Sequence, residues 1–182
     1  MARIQLGEYF IGQLVTFFTS TLPTELAAID TDAADGVILA EPAAANIYGY
    51  EKLEISGGTK DTTVDTEYPV HLEIFEGDLV FTHRDSDQSS GRLTYEAEVQ
   101  IRLTWFNSRG DTKPNVELRR RRYSAGLVNV LSKNPILGLP TTQPILGVHP
   151  TGILYDRDLD QGGMLKQRIT MTAQAKVEEV QP

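Results

Sequence analysis

Cysteine is absent from the 182 residues, which excludes disulfides, a thiol nucleophile and thiolate metal sites. Histidine is scarce. His71, His83 and His149 stand far apart, and no two have the spacing of a metal-binding pair. No apolar run approaches the roughly 18 residues that a membrane helix needs, so no membrane contact is expected. Met1 is followed by Ala2, Arg3 and Ile4, without the basic start and apolar stretch of a secretory signal, so the chain is expected to stay where it is made. Positive charge is also in deficit. Seventeen basic side chains stand against 25 acidic ones, giving −8 and a pI near 4.9. Such a surface is poorly suited to a broad grip on phosphate backbones. Catalytic motifs are missing as well: no Gly-x-Ser-x-Gly elbow, no phosphate-cradling loop and no dinucleotide fingerprint. Gly57-Gly58-Thr59-Lys60 has the wrong order for a phosphate loop and reads as a turn. The expectation is a non-enzyme without a cofactor.

What is present is enough apolar material for one globular domain, 40% of residues against 23% charged. Over residues 3–22, Ile11, Leu14, Val15, Phe18 and Leu22 recur at helical spacing, with Phe10 and Phe17 widening the stripe. Pro23 predicts the end of that helix, with one further turn at 25–29. Residues 30–66 read as a long loop excursion. It is turn-rich at 30–36 and 56–61, with short strand-like pieces at Val37-Ile38-Leu39 and Ile47-Tyr48-Gly49-Tyr50. A period of two begins at Val70, Leu72 and Ile74. Gly77-Asp78 offers a hairpin turn into Leu79-Val80-Phe81, and 84–91 reads as a polar loop tip. From Leu93 to Trp105 every odd position is apolar, the mark of a long strand with one buried face. A second helix is predicted over 112–132. Asp111 or Thr112 would cap it, Pro114 falls in its first turn, and Asn134-Pro135 stops it. Its buried face would carry Val116, Tyr123, Leu127, Val130 and Leu131. Residues 136–150 read as loop, 151–155 as a strand, and 156–163 as a turn. A last alternating strand runs from Leu165 to Val177, its inward row broken only by Gln167. Ala173 and Ala175 would lie under a closely approaching helix. The fold class is therefore α+β: an antiparallel sheet with both helices on one face, in a single domain over 1–182.

Two acidic runs could in principle gather a hard cation. Asp156, Asp158 and Asp160 stand at alternate positions, but Gln161 and Gln167 replace the glycine and glutamate that a calcium loop needs. Asp85, Asp87, Ser89 and Glu96 lack the glycine, which Ser90 replaces. Solvated loop carboxylates are the preferred reading of both. Arg119, Arg120, Arg121 and Arg122 form the most distinctive feature of an acidic chain. On a helix they sweep about 300°, so they cannot make one basic stripe. Arg121 follows Glu117 by one turn, the favourable order for a pair. Arg120 falls near the core face and must snorkel out or meet a carboxylate. Ion pairing within or between subunits is the preferred role for the row, with DNA contact as the alternative.

Several pieces form a pattern: an amphipathic helix ending in Leu22-Pro23, a long loop carrying Ile38-Leu39-Ala40-Glu41-Pro42 and Ile47-Tyr48, Tyr68-Pro69-Val70 opening a strand, the Tyr95–Leu103 strand, the arginine-rich helix, and a closing strand. This layout resembles the tail terminator (tail-completion, neck) proteins of long-tailed bacteriophages, over nearly the whole chain. The resemblance implies a homohexameric ring that caps the last ring of tail tube protein and faces a neck or connector protein. Genomic DNA would pass through the lumen without specific binding, and an acidic lumen would let it slide. The implied location is the virion, after assembly in the host bacterial cytoplasm. The family carries no catalytic motif to transfer. Another connector, a stopper or adaptor, or a tail-tube subunit fits the same pattern. A small ligand-binding protein, with Tyr48, Tyr50, Tyr68 and Trp105 lining a site between the loop and the sheet, is the alternative of a different class.

Overall fold

The alternation over 93–105 marks a strand with one face turned to the core. A computed structural model of the chain describes residues 6–50, 70–77, 92–107, 111–139, 145–159 and 165–180. In chain order the elements are α1 (Leu6–Ala33), β1 (Ile47–Tyr48), β2 (His71–Glu76), β3 (Arg92–Asn107), α2 (Lys113–Lys133), β4 (Ile145–Leu159) and β5 (Leu165–Val180), with a single 3-10 turn at Ala44–Asn46. The strands form one sheet in the order β1-β2-β3-β5-β4. Inward residues line up across it. Leu103 lies between Leu72 and Ile169, Ile101 between Ile74 and Met171, and Val99 opposite Ala173. All of these are sealed from solvent, in one core with Leu14, Phe18, Leu22 and Leu26 of α1 and Tyr123, Leu127 and Leu131 of α2. Both helices thus cover one face, α1 over β1 and β2, α2 over β5 and β4. The fold is α+β with an N-terminal helix, as the patterning predicts.

Four expectations are corrected. First, α1 does not stop at Pro23 but carries it inside the helix. The missing N–H and the ring clash cost about 3 kcal/mol. Leu22 and Leu26, both fully buried, continue the apolar stripe across the proline, and each contributes roughly 1.5–3 kcal/mol. The helix ends where Ala34 takes a positive φ of 47° after donating its N–H to Asp30. Second, the sheet is mixed, because β1 pairs with β2 in parallel. Of the two strand-like pieces in the 30–66 excursion only Ile47-Tyr48 is a strand, and residues 30–33 belong to α1. Third, β4 starts at Ile145, within the segment read as loop. It accommodates Pro150 through register shifts at Ile145/Gly147 and Pro150/Gly152, as proline permits at an edge or bulge. Fourth, Asp156 to Leu159 continue β4 instead of turning. The Leu79–Phe81 return and the 84–91 tip lie outside the described residues.

Thr112 occupies the N-cap position of α2, but its hydroxyl makes no cap hydrogen bond. Asp111 pairs with Arg119 instead.

The two helices meet closely at Gly126. A Cβ there would lie 2.7 Å from Leu26 Cδ2, with Ile29 and Leu22 just beyond. Gly126 therefore sets how near α2 comes to α1. We expect Gly126→Leu to destabilise the fold by about 1–3 kcal/mol through overpacking, measured by urea unfolding. Ala125→Leu on the exposed neighbouring position should be near neutral. Equal effects of the two variants would show that the seam is loose.

Candidate functional site

Helical geometry distributes the four arginines of α2 to different neighbours. Arg119 donates to Asp111 at 2.6 Å and to the Asn107 Oδ1 at 3.4 Å, tying the end of β3 to the helix. Arg120 pairs with Glu117 at 2.5 Å and stacks over the Tyr155 ring at 4.6 Å, reaching β4. Arg122 pairs with Asp35, donates to the Val37 carbonyl at 2.7 Å and lies 3.9 Å from Asp30 Oδ1. Arg121 is exposed. Glu117 thus meets Arg120, three residues on, where the four-residue spacing pointed to Arg121. Arg120 satisfies the demand made by its place near the core: its guanidinium meets both a carboxylate and an aromatic face.

These contacts organise the stretch that follows α1. Arg122 holds Asp35 and Val37, and the Asp30 carboxylate accepts the Leu39 N–H at 2.7 Å. The Tyr123 hydroxyl donates to the Ala40 carbonyl at 2.9 Å, while its ring lies 4.8 Å from Trp105. Burial pushes the Tyr123 phenol far above its ordinary range. At the far end of the helices, Lys133 donates to Glu25 at 2.7 Å and Asn129 adds a second donor. The hydrogen bond from Lys133 holds the Glu25 carboxyl below its usual range. The Arg122 hydrogen bond does the same for Asp35.

The other candidates separate. Asp156 lies on the outer sheet face and pairs with Arg168 at 3.3 Å. Asp158 is in β4, in register with Lys166, and Asp160 lies outside the described residues, as do Asp85, Asp87, Ser89 and His83. Among the described residues no three His, Asp or Glu side chains are grouped to hold a metal. His149 is exposed. The three described members of the aromatic set do not share a site. Tyr48 and Tyr50 lie against each other at 5.6 Å on the β1 edge, Trp105 is in the core against Tyr123, and Tyr68 lies outside the described residues.

Alternation alone missed the outer face of the sheet. Glu73 occupies a position expected to be wet, yet it is 3% exposed. It accepts from Arg102 at 3.3 Å and lies 3.9 Å from His71 Nε2. Arg102 in turn covers the Phe75 ring at 4.7 Å. Lys166 is buried on the same face, and desolvation, reinforced by Arg168, lowers its ammonium pKa. A signal for this was the Glu73–Arg102 pairing of opposite charges across β2 and β3, visible only once the register is known.

No protein-family model matches this chain, and no curated protein matches it.

Arg122→Ala should lower the melting temperature at pH 7, because it releases the segment after α1 from α2. Lys133→Ala should do the same at the other end of the seam. Both carboxylate partners have folded pKa values below their unfolded ones, so each pair contributes above the ordinary carboxylate range and is lost as the pH falls through the folded pKa. The gap between each variant and the parent chain should therefore be full at pH 7 and close toward pH 3, in thermal melts across that range. A gap that stays constant with pH would separate these residues from the ion pairs.

Proposed function

We infer that the chain is a structural subunit of a bacteriophage tail. It forms a ring at the head-proximal end that terminates the tail tube and joins it to the neck. The observation that supports this best is the β3–β5 ribbon. The two strands pair from Arg92↔Val180 to Asn107↔Leu165, a span of about 50 Å at ordinary strand rise. β2 covers only Val99–Thr104 of β3, and β4 stops opposite Val177 of β5. Among the described residues, the last pairs, Arg92↔Val180 to Thr94↔Glu178, have no third strand beside them. Two strands without a third or a covering helix are marginal in water. A ring of copies or a tube end would offer such an extension a further surface to pack on.

The charge distribution supports the same reading. Arg119, Arg120 and Arg122 are matched to carboxylates of their own chain, which leaves little of the row for phosphate backbones. A net −8 per copy suits a lumen through which DNA slides without adhering.

Native mass spectrometry and negative-stain imaging of the purified chain, alone and with tail tubes, test the proposal. Closed six-membered rings, free or seated on tube ends, are expected, with no duplex-DNA binding tighter than micromolar at physiological salt. Long cylinders would assign a tube subunit instead. Single copies at high concentration that never seat on a tube end would overturn the reading.

A further inference from the structure

We propose that Arg121 of one copy docks on the Tyr48–Tyr50 pair of the next, so that the α2 flank of each subunit meets the β1 flank of its neighbour. The inference rests on the ring reading and names its contact. Arg121 is the one arginine of its row with no partner among the described residues, and it is exposed. Its place on α2 is set by its neighbours. Arg120 and Ser124 face Tyr155 of β4, whereas Gly126, Asn129 and Lys133 face α1. At 100° per residue Arg121 lies on the solvent side, leaning toward β4 and away from α1. It thus overhangs one edge of the sheet, where Leu154 and Tyr155 are 69% and 42% exposed.

β1 is the opposite edge. There Tyr50 is 59% exposed and leans on Tyr48, which in turn sets its ring edge-on to His71 at 6.5 Å. Charge is complementary across the two flanks. Residues 41–50 and β2 contain the exposed Glu41 and Glu76 and no lysine or arginine, while α2 presents the exposed Lys113 beside Arg121. The chain already uses the same contact twice internally, with Arg120 over Tyr155 and Arg102 over Phe75. An exposed tyrosine face attracts a guanidinium in the same way, and more strongly once water is excluded. Arginine and tyrosine are also the residues that dominate interface energies. Two different patches on opposite edges of one sheet give a head-to-tail contact, the kind that closes into a ring.

The absence of cysteine makes the test clean. Tyr50→Cys and Arg121→Cys are prepared separately as full chains and treated with a short bismaleimide. A mixture of the two should give covalent dimers, neither variant alone should, and the double variant should give a ladder that ends at the ring. Arg121→Glu should weaken association about tenfold in sedimentation, with an unchanged melting temperature because the position is exposed. Tyr50→Ala should weaken it and Tyr50→Phe should not. Self-crosslinking of either single variant, or full-strength rings with no mixed crosslink, would overturn this contact and leave the ring standing. A parent chain that stays single in the same sedimentation run would overturn the ring reading itself, and this contact with it.

Discussion

Burial of the inward row of β3 is the constraint on which the structure depends. Its inward row of Ala97, Val99, Ile101, Leu103 and Trp105 is almost wholly removed from water, and the strand pairs with β2 on one side and β5 on the other. A strand buried on one face needs a layer above it, and two helices supply that layer. The small residues Ala173 and Ala175 of β5 are both fully buried, in the strand that α2 packs against. Gly126 then lets α2 settle close to α1. The helix pair, the loop after α1 and the placement of the arginines all follow from that packing.

Charge is arranged around this core in two tiers. Above the sheet, Arg119, Arg120 and Arg122 with Lys133 fasten the ends and flanks of the helices to neighbouring segments. Below it, Glu73, Arg102, Arg168 and Asp156 form cross-strand pairs. The value of the upper tier is positional. Its pairs set where the stretch 34–40 runs and how α2 is rotated about its axis. That rotation leaves Arg121 facing outward, while Tyr50, resting on Tyr48, is exposed at the β1 edge.

Period was legible in the residues, and boundaries were less so. Alternation over 93–105 and 165–177 located β3 and β5, and the three- and four-residue steps located both helices with their buried faces. Pro23 misled, because a local rule about one N–H was weighed without the burial that Leu26 gains on the far side. Pro150 and the turn-prone residues 156–159 misled in the same way. An edge strand tolerates proline and charge on its free side, and edge status belongs to the sheet and not to the segment. The pairing of Arg119, Arg120 and Arg122 with carboxylates was legible, since an acidic chain surrounds them with such groups. Which carboxylate Arg122 would meet was not legible, because Asp35 reaches α2 only after the chain has turned back on itself.

Composition and periodicity by themselves determined the class of the fold, the existence of one core and the faces of the helices and long strands that build it. These depend on which residues avoid water at a fixed local repeat, and neighbours along the chain carry that information. Only the tertiary structure decided the parallel pairing of β1, the passage of α1 through its proline, the burial of Glu73 and Lys166 on the far side of the sheet, and the isolation of Arg121 from its three neighbours. Each of these turns on a contact between segments distant in sequence, whose free energy outweighs the local preference.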